Sequence, residues 1–564
     1  MGLSSALATA SRSLEIFSTG IQVAGQNISN AGSPGYIREE LILETGASYR
    51  QGSLILGTGV LAAGVQQQID IFLETQIHAA NSDANAAQAR QLIYQQLEIE
   101  VQELGADDLS TALNDFLAAI NEVVNQPESE AFRQIAVEQG VQLANDIAYL
   151  RSRVDSLREA QTAKVDSLVA EANALIDEIF DLNPQILELE SAGLLKSEAG
   201  GLRTQRYEAV NRLSEIIPVR YEEQPNGEVY LFLGSDPLIL SGDKQNLETV
   251  TRTDRGVTVQ DVRLTDSKFV ISTAGGELQG IIEGRDQVLG GFVDQLDAYA
   301  AGLIYEFNRI HSSGEGLAGF TSLTSTTPVD DKDAVLNAAG LDFVPEHGSF
   351  ELKLTNALTG VTETTVINVD LDGIGTDTTL QTLRDDLDAV ANLTATITPD
   401  GRLELSAAAD YDFRFGNDTS GALAALGANT FFVGADSGTI AVNSAVASDH
   451  RLFATGQGGG PSDNTNALLF AQFVDEPRDS LGGLSLETFY QSTVAALANS
   501  SASEQALSEG FAAYRDSLRN QREQFSGVSL DEEAVKVLEF QRAFQSAARL
   551  ISTIDEMFTT LLNM

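Results

Sequence analysis

The 564-residue sequence has no cysteine and no tryptophan, and only three methionines and four histidines. A chain without a thiol forms no disulfide, builds no thiolate metal site and offers no cysteine nucleophile. Basic residues are scarce as well: 34 Lys and Arg stand against 81 Asp and Glu, a formal charge of -47 at pH 7. Such a surface repels nucleic acid and anionic lipid, so neither nucleic acid nor membrane is expected as a partner. Dense like charge is tolerated where salt screens it, which fits a saline habitat. No apolar run approaches the roughly 18 residues that span a bilayer. The opening Met1-Gly-Leu-Ser-Ser-Ala-Leu-Ala-Thr-Ala10 has no early Lys or Arg and no solid apolar block, so no cleaved secretory signal is read there.

What the chain does have is apolar periodicity at both ends. Ser529 followed by Glu532 is a capping box, with Asp531 and Glu533 favourable at the positive end of a helix dipole. From there Val537, Phe540, Phe544, Ala547, Ile551, Ile554, Phe558 and Leu561 alternate spacings of three and four, the seam of a heptad. Near the start, Leu3, Leu7, Ala10, Leu14, Phe17, Ile21, Ala24 and Ile28 keep the same alternation until Asn30, Gly32, Pro34 and Gly35 break it. At about 1.5 Å per residue, that seam makes a rod roughly 40 Å long. Matching seams can pair, and an isolated chain is expected to leave both ends disordered until a partner covers them. Spacing alone is met equally by a core helix from each end of an ordinary globular domain.

Between the ends, Ile37–Glu44 reads as an edge strand or an extended linker. From about Ile71 to Asn183 the only proline is Pro127 and the composition favours helix, with a loop at Gln126-Pro-Glu-Ser129. Leu143, Ile147, Leu150, Val154 and Leu157 set a heptad seam that Val165, Leu168, Ala172, Leu175 and Ile179 continue. The pattern changes at Ile217-Pro218: residues 219–221 and 229–233 flank Pro225-Asn226-Gly227, a type I′ hairpin signal, and strand character persists at 257–259 and 268–272. Leu289, Leu296, Leu303 and Ile310 then return at seven-residue intervals, so a helix is expected. Residues 321–450 look like an inserted α+β module, with Asp400-Gly401 turning between two short strands. Leu507, Phe511, Tyr514, Leu518 and Phe525 give one more seam.

Little of this carries chemistry. Gly57-Thr-Gly59 follows a strand-like Leu54-Ile-Leu56, but Ala62 stands where a dinucleotide loop needs its third glycine. Gly456-Gln-Gly-Gly-Gly460 lacks the Gly-Lys-Ser/Thr of a phosphate cradle. His78, His311, His347 and His450 are far apart and read as surface or loop residues. Asn368, Asp370, Asp372 and Gly373 match the opening of a calcium loop, but its twelfth position is Thr379 rather than Glu. No catalytic residue, cofactor or metal ligand is therefore assigned.

Two long stretches add a resemblance. Gln26-Asn27-Ile-Ser-Asn30-Ala-Gly-Ser-Pro34-Gly35-Tyr36 resembles the turn of the bacterial flagellar axial proteins (rod, hook and hook-associated), and Phe540–Asn563 resembles that family's closing helix. Ser526–Glu533 and the overall length are most similar to the hook-associated members. The resemblance implies a mostly α fold with β: paired terminal coiled-coil helices, a helical bundle domain with a β-hairpin region, and an inserted α+β outer domain. Residues 1–60 and 505–564 would be the terminal coiled coil, 61–320 and 451–504 the helical domain with its hairpin region at 217–272, and 321–450 the outer domain. It further implies a non-enzymatic adaptor joining hook to filament, exported by the type III apparatus. The partners implied are the hook protein, the next hook-associated protein toward the filament, copies of itself as a ring, and an export chaperone on the C-terminal helix. Rival readings are another axial protein (hook, rod or flagellin-like) and, from a different class, a secreted enzyme or adhesin on a coiled-coil stalk.

Overall fold

The computed structural model describes residues 2–33, 35–101, 108–191, 197–268 and 275–563. They divide into two compact units, one of Met1–Ile93, Glu159–Arg285 and Ser501–Met564, the other of Tyr94–Arg158 and Asp286–Ser500.

In chain order, α1 (Gly2–Asn30) leads through the turn to strands β1 (Glu39–Thr45), β2 (Tyr49–Gln51), β3 (Leu54–Leu56) and β4 (Val60–Gln67). β1 pairs antiparallel with β4 alone, and β2 with β3. Gly59 is required there: at φ +90°, an added Cβ would sit 2.6 Å from Thr9 of α1, so the glycine serves close packing rather than phosphate binding. α2 (Ile71–Val101) starts at Asp70, whose carboxylate accepts the Phe72 and Leu73 amides at 3.0 and 3.2 Å. α3 (Leu109–Asn125) and α4 (Glu130–Ser191) flank the expected loop at 126–129. α4 runs on past Pro184, beyond the expected stop at Asn183.

α5 (Gly200–Ile216) precedes a four-stranded meander, β5 (Val219–Glu223), β6 (Val229–Leu233), β7 (Asp236–Leu240) and β8 (Asp243–Lys244), then the pair β9 (Leu247–Asp254) and β10 (Val257–Leu264). The hairpin falls where expected, but its turn is not type I′. That turn needs positive φ at both central residues, whereas only Gly227 of the Pro225-Asn226-Gly227 stretch has it, at +87°, with its amide on the Gln224 carbonyl at 2.9 Å. The expected strand at 268–272 falls on Lys268, which is not in a strand, and on positions outside the described residues. Val165, Leu168, Ala172 and Ile179 of α4 pack with Tyr207, Val210 and Leu213 of α5 and with Val229 and Leu231 of the hairpin, so the heptad seam becomes the core of the first unit.

α6 (Gly276–Glu283) passes through a single π-helical stretch, Gly284–Leu289, into α7 (Gly290–Ser312). In the second unit follow β11 (Ser322–Thr324), β12 (Gly348–Asn356), β13 (Thr362–Val369), α8 (Leu380–Asp388), β14 (Leu393–Ile397), β15 (Leu403–Ala407), β16 (Tyr411–Gly416), α9 (Ala422–Leu426), β17 (Phe432–Val433), β18 (Ala441–Val442), α10 (Ser444–Ser448) and α11 (Thr465–Phe473). Two three-stranded sheets, ordered β13-β12-β16 and β11-β15-β14, close with α8 and α9 over a core that includes Phe350, Leu352, Leu383, Leu405 and Phe413. The chain ends in α12 (Leu486–Ser526) and α13 (Leu530–Leu562).

Two sequence readings are corrected here. Of the α12 seam only Leu518 is buried, while Leu507, Tyr514 and Phe525 are exposed. His78 and His311 are buried, not at the surface. His311 Nδ1 donates to the Asn429 carbonyl at 2.7 Å and Nε2 accepts the Ala454 amide at 3.1 Å, which fixes a neutral ring inside the second unit. No described helix is long and apolar enough to cross a membrane.

Candidate assembly interface

α1 and α13 pair along their length. Ser529 caps α13 by accepting the Glu532 amide, as the capping signal predicts, but the Glu532 carboxylate turns away to Arg38 Nη1 at 3.0 Å. Ala10, Ile16, Gly20 and Ala24 are buried on α1, and Ala547 and Ile554 on α13. Leu14, Phe17, Ile21, Val537, Phe540, Ile551 and Phe558 are half-buried, while Leu7, Ile28, Phe544 and Leu561 are exposed.

The Phe17 and Phe540 rings lie 6.5 Å apart. A Cβ on Gly20 would stand 2.8 Å from the Phe540 ring, so only glycine admits that ring here. Gly20 was missed in the sequence because a glycine inside an apolar pattern reads as a weakness of the helix rather than a seat for a ring. A single chain therefore closes part of the seam on itself.

The turn motif joins these helices to the strands. Asn27 is wholly buried and uses its whole amide: Nδ2 donates to the Glu39 carbonyl at 2.8 Å and to Glu533 Oε2 at 3.0 Å, while Oδ1 accepts the Glu39 amide and the Tyr36 hydroxyl, both at 3.0 Å. Glu533 is 1% exposed and its other oxygen accepts Lys536 Nζ at 2.9 Å. Burial, with Glu39 beside it, pushes the Tyr36 hydroxyl up to about 12. Asn30 closes the end of α1 on the Gln26 carbonyl at 3.0 Å, and Gly35 takes φ +73°. Pro34 lies outside the described residues. From α12, Arg522 reaches the Gly35 carbonyl at 3.3 Å and Glu74 Oε1 at 2.9 Å. The turn is thus a knot holding α1, β1, α2, α12 and α13 together.

The profile described as flagellar basal body rod FlgEFG protein C-terminal matches residues 519–564. With helices from both chain ends clasped through a turn, the chain is similar at this end to the axial proteins of the bacterial flagellum. The profile described as flagellar hook-associated protein FlgK helical domain matches residues 94–323. Flagellar hook-associated protein 1 of Escherichia coli (strain K12) is 24% identical over 591 aligned positions, covering 100% of both chains. The protein of that name from Bacillus subtilis (strain 168) is 24% identical over 352, covering 56% of this chain and 68% of its own. The solved structure of the flagellar hook junction protein FlgK from Burkholderia pseudomallei shares the fold, with a TM-score of 0.54 at 16% identity over 81% of this chain and 100% of that one. The chain is thus similar to flagellar hook-associated protein 1, a structural protein of the flagellum, and carries the helical domain of that family.

Proposed function

We propose that this chain is the adaptor that joins hook to filament, and that it assembles through the outer faces of α1 and α13. The observation that carries this reading is the apolar surface the helix pair leaves in solvent: Leu550 and Met557 are each 49% exposed and Leu561 58%, with Leu7, Ile28 and Phe544 also exposed. In so acidic a chain these are costly to leave wet, and each is worth up to about 1.5–3 kcal/mol when a neighbouring subunit covers it. The neighbours on this reading are the hook protein beneath, the next hook-associated protein above and further copies around a ring. A chaperone would cover the α13 face before export. Lack of cysteine suits a chain that leaves the cell unfolded through a type III channel, without a cleaved signal, to act outside it. Residues 1–60 and 505–564 would line the axis, 61–320 with 451–504 would surround them, and 321–450 would face outward.

The chain has no catalytic task on this reading. An enzyme reading would need converging polar groups in the outer module. A hollow of about 920 Å³ there carries charges already spent on near neighbours, Lys332 on Asp333 at 3.2 Å and Arg384 on Asp385 at 2.7 Å.

Deleting the gene and complementing it with the full chain or with a chain lacking Ser526–Met564 tests the proposal. Hooks without filaments, flagellin shed into the medium and rescue by the full chain alone are expected. Normal filaments in the deletion strain would overturn it.

A further inference from the structure

We propose that His347, Asp370 and Asp372 form a site for one divalent transition-metal ion of the zinc type, at the open end of the β12–β13 ladder. The sequence shows the two aspartates but not the histidine, which lies more than twenty residues upstream. Register supplies it: Gly348 pairs with Val369, so the residue before β12 meets the residue after β13. Ligand atoms of the three side chains lie within 4.8 Å of one another.

A second observation concerns the electrons already facing each other there. His347 Nδ1 stands 3.1 Å from Asp370 Oδ1. That nitrogen accepts the Leu371 amide at 3.2 Å, so it is deprotonated there, and an ion would take over the lone pair from that long contact. The Asp370 oxygen is buried and receives no hydrogen bond from any described group. Two acceptors opposed in this way repel, and a buried carboxylate oxygen without a donor is costly. A cation between them removes both penalties. Asp372 is oriented toward the pair by the Ile374 amide, which its Oδ1 accepts at 2.7 Å.

The size fits. An ion at the centre of three atoms no more than 4.8 Å apart lies at most about 2.8 Å from each, and zinc bonds to imidazole and carboxylate are about 2.0–2.2 Å. Small rotations of exposed side chains close that gap. One imidazole with two carboxylates suits a borderline ion, whereas calcium prefers six or more oxygens. Bound there, the ion would staple the 371–377 loop to the start of β12.

Calorimetric titration of the full chain with Zn²⁺ alone, in salt high enough to screen its diffuse acidity, tests the site. One saturable ion per chain is expected, weakened about tenfold or more by His347→Ala and by Asp370→Asn. The chain holds only four histidines, so ¹³C-histidine spectra of the unaltered protein give an independent readout: one ring should shift with Zn²⁺ and not with Ca²⁺. Binding without one-to-one saturation, binding unchanged by His347→Ala, or four unmoved rings would overturn the proposal.

Discussion

The Asn27 side-chain amide donates to the Glu533 carboxylate at 3.0 Å across a separation of 506 residues. Neither group is open to solvent, so each relies on the other and on Glu39, Tyr36 and Lys536 for its hydrogen bonds. The arrangement asks for an amide at position 27, since a carboxylate could not donate and would face Glu533. Asn27→Ala should destabilise the clasp by about 2–3 kcal/mol, seen as hydrogen exchange of α13 amides faster by about 30-fold or more. Asn27→Asp should be at least as damaging at pH 7. Unchanged exchange in both variants would show that the clasp does not hold the helix.

Gly20 gives way to the Phe540 ring, and the two positions should therefore be coupled. Gly20→Ala should cost about 1–3 kcal/mol through overpacking. Phe540→Leu should recover part of that loss, so the double variant is less destabilised than the sum of the singles. Thermal melts followed by circular dichroism measure the cycle, and strict additivity would mean that the ring moves aside freely.

Burial holds His78 and His311 at about 4, well under their ordinary 6.5. A folded-state value below the unfolded one means that the unfolded chain binds the extra proton. The contribution, up to about 3 kcal/mol for each ring, is complete above pH 6.5 and is lost as pH falls toward 4. His311→Gln keeps a donor and an acceptor and removes the titration. Its melting temperature should vary less between pH 6.5 and 4 than that of the unaltered chain, and parallel curves would refute the assignment.

Leu550 and Met557 contribute to the exposed face of α13 and not to its seam with α1. Leu550→Glu and Met557→Glu should leave helix content and stability within about 0.5 kcal/mol. The same changes should abolish filament attachment in a complementation assay. Filaments on a strain carrying both changes would show that the outer face of α13 is not used.

Much of this was legible beforehand, and the misses have physical causes. Apolar spacing marked α1, α13 and the seam of α4, because a helix repeats its burial every three or four residues. The same spacing named Ala10 and Ala24, both buried, but passed over Gly20, because the residue needed there to seat a ring is not apolar. The α12 seam failed for the complementary reason: Leu507, Tyr514 and Phe525 keep the period but are left in solvent. His347 could not be tied to Asp370 without strand register, and His311 could not be seen as buried without its partners Asn429 and Ala454.

The clasp also has a mechanical meaning. Where the two ends of a chain are fastened to each other, a pull delivered to α1 is handed sideways to α13 through Phe17, Phe540 and the Asn27–Glu533 bond. It need not travel along the covalent backbone that runs between them. The intervening sequence is thereby released from bearing tension, and loops such as 371–377 can lengthen, shorten or take on new ligands while the joint keeps its strength.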